Sequence, residues 1–208
     1  RMTWPSTATC TGSWVGMRPV RAATGGAPVQ QTNCHPFRYG RWLFVHNGLV
    51  NEYDKLRRDL AFAISPDLFP FIHGTTDSEL MFLLALSFGM DADVKAGVAR
   101  MAGLVEQVAK AHSVDNALQM TLGISDGESL YAVRYSTEGR SRSLFHSVSR
   151  DATTEIAPEA GRFSRDARAI VSEPLDDLEA DWVAVPEASF LTIHRGRITS
   201  ESFAPIAP

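Results

Sequence analysis

Three short stretches hold side chains that could act on an amide. Asn47 and Gly48 are adjacent, and an amide side chain beside a backbone N–H that no side chain shields is a usual donor pair for the oxyanion of a tetrahedral intermediate. Asp77 sits in Thr75-Thr76-Asp77-Ser78-Glu79, at the start of an apolar run, where a carboxylate could pair with the ammonium of an amino acid. Arg21-Ala22-Ala23-Thr24-Gly25-Gly26 offers a guanidinium able to grip a carboxylate in a fork, with Thr24 and the glycines leaving room for a ligand backbone. Each stretch has an ordinary explanation as well. Asn-Gly is a common hairpin turn, a carboxylate stabilises a helix start without any ligand, and an arginine before glycines is usually solvated. Taken together they describe a glutamine pocket, with Arg21 for the carboxylate, Asp77 for the amine, and Asn47 with Gly48 for the side-chain carbonyl.

The elements that would position these groups follow from pattern. Arg41 to Val45 reads as a strand running into a tight turn at Asn47-Gly48. Tyr53, Leu56 and Leu60 fall at helical spacing and Ser65-Pro66 ends them, which predicts a short surface helix. Thr76 to Glu79 has the form of a capping box, Thr76 accepting from the Glu79 amide and the Glu79 side chain reaching back to Thr76. Leu80 to Leu86 is apolar on every face, as in a helix buried on all sides. Val94, Val98, Met101, Val105 and Val108 trace the stripe of a second long helix between Asp91 and His112. Later segments read as mostly antiparallel strands: Leu118 to Ser125, Ser129 to Tyr135, Ala169 to Ser172, Trp182 to Val185 and Phe190 to Ile198, with hairpin turns at Asp126-Gly127 and Arg195-Gly196. Gly139 to Arg142 and Asp151 to Ala167 read as loops. The order predicts an α+β fold in which two helices pack on a sheet.

Composition narrows the classes. A chain of 208 residues with 44% hydrophobic content suits one domain over residues 1–208. Its balance of 20 Lys and Arg against 24 Asp and Glu, with no basic and aromatic face, argues against nucleic acid as a partner. Two cysteines, Cys10 and Cys34, are too few for a disulfide framework, and no apolar run reaches the ~18 residues of a membrane span. A cytoplasmic protein is the expectation. His35, His46 and His73 with Cys34 lack compact zinc spacing, so neither metal nor other cofactor is expected. Cys34 with His46 as base would make an internal thiol hydrolase, but a small buried thiol is the commoner state of such a cysteine.

Arg21-Ala22-Ala23-Thr24, Asn33-Cys34-His35-Pro36-Phe37, Phe44-Val45-His46-Asn47-Gly48 and Gly74-Thr75-Thr76-Asp77-Ser78-Glu79 occur in the order seen in class II glutamine amidotransferases, whose smaller bacterial members the chain resembles. Val171-Ser172-Glu173-Pro174-Leu175 with Trp182 and Val185-Pro186 extends the likeness, which runs from about residue 21 onward. The resemblance implies an N-terminal-nucleophile αββα sandwich, here expected without its leading strands. It implies hydrolysis of glutamine or a γ-glutamyl amide through a thioester on an N-terminal cysteine whose own α-amine serves as base. By motif, Asn47 and Gly48 would form the oxyanion hole, and Arg21, Thr24, His46 and Asp77 the substrate site, with His35 and His46 shaping the pocket rather than acting as bases. A synthase partner or a homo-oligomer is compatible with such a domain. No cysteine stands at or beside Arg1, so the sequence is expected to start downstream of the nucleophile. A glutamine-binding or scaffold domain without hydrolysis is the other reading.

Overall fold

The computed structural model describes residues 31–151, 164–174 and 181–208, with the backbone of 9–10 and 13–14. Thr9–Cys10 (β1) and Ser13–Trp14 (β2) pair as a small antiparallel ribbon. The main sheet is antiparallel and six-stranded: Phe37–Tyr39 (β3), Trp42–Val50 (β4), Leu118–Ser125 (β5), Ser129–Ser136 (β6), Ser189–His194 (β10) and Arg197–Ser202 (β11), in the spatial order β11-β10-β6-β5-β4-β3. Phe145–Ser147 (β7), Ile170–Val171 (β8) and Trp182–Ala184 (β9) make a second, three-stranded sheet in the order β8-β7-β9.

Three helices, Tyr53–Phe62 (α1), Asp77–Ser87 (α2) and Val94–Ala111 (α3), share one core with the main sheet. Alternation along β4 explains the layering. Trp42, Phe44, His46 and Val50 are buried on the helix side, whereas Leu43, Val45, Asn47 and Leu49 are partly or largely exposed on the other. The fully apolar run predicted to be buried on all sides is α2, where Leu80 to Ala85 are all buried. Phe82 stacks on Phe44 with ring centroids 5.2 Å apart, which fixes α2 over β4. The stripe on α3 also meets the core, with Val98, Met101 and Val105 fully enclosed. On the opposite side of the main sheet, Leu144, Val185 and Ile170 pack against Ala132 and Leu191, so the second sheet covers the β6 and β10 region. The described residues thus supply a helix layer and two stacked sheets.

Both predicted hairpins form. Asp126 closes one by accepting from Glu128 N and Ser129 N; the other places Arg195 and Gly196 at φ 48° and 76°, the pattern of a two-residue turn that follows strand twist. One expected turn is absent. The chain does not reverse at Asn47-Gly48, because β4 stays paired with β5 from Leu43 opposite Ser125 to Val50 opposite Leu118. It turns instead at Asn51-Glu52, where Glu52 has φ 47° and pairs with Lys55. Gly48 serves close packing: a Cβ there would overlap the Gln119 carbonyl oxygen across the ladder and lie 2.7 Å from His46 Nε2. Strands β3 and β7, three residues each, carried no readable period, and α1 joins α2 and α3 as a third helix of the layer. The expected positions of Arg21 and Thr24 lie outside the described residues, as does Leu175.

Candidate active site

Among the described residues, strand β4 has one edge that the sheet leaves open. β5 lines the strand from Leu43 to Val50, but β3 reaches only from Trp42 to Phe44 on the other side. Beyond that point the outward N–H groups meet side chains: His46 N donates to His35 Nε2 at 3.3 Å, and Val50 N donates to Asp77 Oδ2 at 2.9 Å. The period of two puts Gly48 N–H on this same edge, about 7 Å from either neighbour along the strand. Asn47 faces away from the helices and is exposed, while its carbonyl points inward and accepts from Thr121 Oγ1 at 2.8 Å.

The carboxylate at the end of this edge is set by the start of α2. Thr76 is the N-cap and accepts from Glu79 N at 3.3 Å. The reciprocal half of the expected capping box differs. Glu79 does not reach Thr76 but accepts from His73 N at 2.9 Å and Gly74 N at 2.8 Å, tying down the loop before the helix. That loop is clamped from the other side by Asn33, which accepts from Thr75 N at 2.8 Å and donates to Thr75 Oγ1 at 3.1 Å. Gly74 permits the approach, since a Cβ there would collide with Asn33 Oδ1 and with the Thr32 carbonyl. Asp77 is thereby held half-buried, with Oδ1 accepting from Ser78 N at 2.7 Å and Oδ2 from Val50 N.

His46 lies beneath the edge with both ring nitrogens engaged, Nε2 to the Gln119 carbonyl at 3.2 Å and Nδ1 to Ser78 Oγ at 2.9 Å. A carbonyl only accepts, so Nε2 turns a proton to Gln119, while Ser78 Oγ, beside Nδ1, donates to Asp77 Oδ1 at 3.1 Å. Burial pushes the His46 pKa below the ordinary imidazole value, against the pull of Asp77 and of the Gln119 carbonyl. Burial likewise lowers His35 to about 4, with the nearby His46 adding to the effect and Asp77 opposing it. Both imidazoles are therefore neutral near pH 7. Both ring nitrogens of His46 are engaged, with Ser78 and with Gln119, which leaves neither directed at Cys34.

Of the residues singled out from sequence, Asn47, Gly48, His46 and Asp77 come together around this edge. Ser78 and Asn33 also belong to it, and sequence reasoning assigned neither a role. Asn33 meets Thr75 across 42 residues, a contact no local pattern announces. Among the described residues, no three His, Cys, Asp or Glu side chains gather as a metal site, and no helix is long and apolar enough to cross a membrane.

Comparison with known proteins gives the family of the chain. Residues 13–206 match the family described as class-II glutamine amidotransferases. A probable glutamine amidotransferase of Saccharomyces cerevisiae, DUG3, is 30% identical over 86% of this chain and 57% of its own length. The γ-glutamyl-hercynylcysteine sulfoxide hydrolase of Mycolicibacterium smegmatis is 25% identical over 86% of this chain and 60% of its own. The chain thus spans under two thirds of these relatives. Among solved structures, a glutamine aminotransferase class-II domain protein from Silicibacter pomeroyi superposes with a TM-score of 0.74 at 34% identity, covering 85% of this chain and 74% of that one. The α+β, N-terminal-nucleophile type of fold implied by the sequence resemblance is the fold of these neighbours, and the chain belongs to the class-II glutamine amidotransferases.

Proposed function

We propose that the protein hydrolyses the side-chain amide of glutamine or of a γ-glutamyl compound, with the substrate lying along the open edge of β4. The observation that carries this reading is the alignment of the Asp77 carboxylate, anchored on Val50 N, with Gly48 N–H two residues back on the same edge. In glutamine, four bonds of about 1.5 Å separate the α-nitrogen from the amide carbon, a reach of roughly 5 Å. An ammonium at Asp77 therefore brings the carbonyl toward Gly48. Asn47 supplies the second oxyanion donor from the exposed side of the strand, and Arg21 with Thr24 takes the α-carboxylate. His46 shapes the floor. The attacking group is a cysteine at a mature N-terminus, activated by its own α-amine, whose reference pKa of about 8 suits a base near neutral pH.

The hydrolase named among the relatives acts on a γ-glutamyl compound, which supports extending the substrate class beyond free glutamine. Whether ammonia is passed to a synthase or released is a matter of partner. Kinetics of the full-length protein test the site. Asp77→Ala should raise KM with little change in kcat, and Asn47→Ala should lower kcat by about 10²–10³ with KM nearly kept. Unchanged kinetics in both variants would refute the assignment.

A further inference from the structure

Building on the glutamine pocket proposed above, we infer that Arg142 is a specificity residue for the departing amine of a γ-glutamyl amide, taking a carboxylate that this amine carries. Gly139 to Arg142, an aperiodic loop in the sequence, is locked onto the face of the main sheet turned away from the helices. Glu187 accepts from Ser141 N at 3.0 Å and from Ser141 Oγ, Arg134 Nε donates to Ser141 Oγ at 3.1 Å, and Gln119 Nε2 donates to the Arg140 carbonyl at 3.1 Å. Two guanidiniums of this face are used differently. Arg134 spends its donors on Ser141 and on the Val185 carbonyl. Arg142 gives only Nε, to Gln119 Oε1 at 3.4 Å, and its two terminal nitrogens have no acceptor among the described residues. Its guanidinium is thus exposed yet tethered.

Strand register puts that guanidinium beside the reacting end of the substrate. Along β5, Leu118, Met120 and Leu122 belong to the helix-side core, so Gln119 faces the other way. Gln119 stands opposite Leu49 and diagonally from Asn47, a separation of about 7–8 Å in an antiparallel pair. Arg142 is also near enough to the His46 ring for its charge to oppose protonation there. With the glutamyl ammonium at Asp77 and the carbonyl between Gly48 and Asn47, the helix side is filled by the start of α2 and by His46. The departing amine is left the opposite side, where Asn47 and Leu49 are exposed and Arg142 is anchored. When that amine is an amino acid, its carboxylate carbon lies two bonds from the departing nitrogen, about 2.5 Å. A carboxylate accepts paired N–H bonds from a guanidinium fork, and the free terminal nitrogens of Arg142 supply them. Glutamine, whose departing group is ammonia, offers this side chain nothing to hold.

Kinetics of the full-length protein on three substrates isolate this role: γ-glutamylglycine; γ-glutamylglycinamide, in which a neutral amide replaces the glycine carboxylate; and glutamine. Arg142→Gln should lower kcat/KM for γ-glutamylglycine by about 10–100-fold, the range for charge-assisted hydrogen bonds, and leave the other two substrates within about twofold. Arg142→Lys, a point charge without the fork, should recover part of the loss. Added salt should shrink the wild-type preference for γ-glutamylglycine over its amide and leave the Arg142→Gln ratio unchanged. Equal losses on all three substrates overturn the inference, because they mark a grip on the glutamyl part or a general defect of the loop. A wild-type protein that does not distinguish γ-glutamylglycine from its amide overturns it too. If Asp77→Ala leaves all three substrates unchanged, the pocket reading fails with it; if Asp77→Ala raises KM for all three and Arg142→Gln alters none, only the role of Arg142 fails.

Discussion

Replacing Gly48 by alanine is a one-methyl change with a computable consequence. The added Cβ would overlap the Gln119 carbonyl oxygen, sit 2.8 Å from the Gln119 carbonyl carbon and 2.7 Å from His46 Nε2. Two of these three atoms are backbone of the neighbouring strand, so no side-chain rotation relieves the clash. β4 and β5 must part locally, at a cost of about 1–3 kcal/mol for overpacking and about 1 kcal/mol for each ladder hydrogen bond lost. A total of roughly 2–5 kcal/mol lowers Tm by about 5–15 °C in a chain of this size. The displacement also moves Gly48 N–H, which in the proposed function faces the oxyanion, and misplacing one such donor costs about 10²–10³ in kcat. Thermal unfolding by circular dichroism and glutaminase assay of the full-length variant read the two effects separately. A Gly48→Ala protein with wild-type Tm would show that the close approach to β5 does not constrain position 48. Wild-type Tm and wild-type kcat together would refute its place in the site.

Other perturbations test the supports of the site. His35 is held neutral by burial, at about 4 against 6.5 for a free imidazole, so the unfolded chain takes up that proton first as pH falls. The stability it contributes is complete above about pH 6.5 and is lost toward pH 4, roughly 3 kcal/mol in all, with His46 shifting in the same sense. Urea midpoints at pH 7, 6 and 5 should decline, and His35→Gln should flatten the decline; midpoints independent of pH would count against the buried neutral state. Glu79→Gln sets an amide N–H₂ against one of the two N–H groups that Glu79 now accepts, and should cost about 2–4 kcal/mol by chemical denaturation. A loss below about 0.5 kcal/mol would show that the loop before α2 is held by other means. Phe82→Ala removes the ring stacked on Phe44 and should cost about 3–5 kcal/mol; a fall in Tm of under 2 °C would contradict the packing described.

How much of this was readable from residues depended on the range of the interaction. Helix α2 announced itself because Thr76 and the apolar run after it are local signals, and the two hairpins did so because Asp126-Gly127 and Arg195-Gly196 are turn dipeptides. Asn47-Gly48 carries the same local signal and misleads. What holds β4 straight there is its partner strand more than seventy residues on, with Gly48 needed for clearance from Gln119. Strands as short as β3 and β7 cannot display a period of two. At the site, residue types suggested Asn47, Gly48 and Asp77, and the family resemblance added His46, but neither announced the clamp of Asn33 on Thr75 or the hydroxyl of Ser78 between His46 and Asp77. Those arise only when distant segments close on the start of α2.

In the proposed function, glutamine lies along the open edge of β4, with its ammonium at Asp77 and its amide carbonyl at Gly48. The most direct test is the structure of the full-length protein trapped with an electrophilic glutamine analogue such as 6-diazo-5-oxonorleucine. A single adduct on an N-terminal cysteine is expected, its ammonium about 3 Å from Asp77 and its carbonyl oxygen at similar distance from Gly48 N–H and the Asn47 amide. An adduct elsewhere, at Cys34 for instance, or an analogue whose ammonium avoids Asp77, would contradict it.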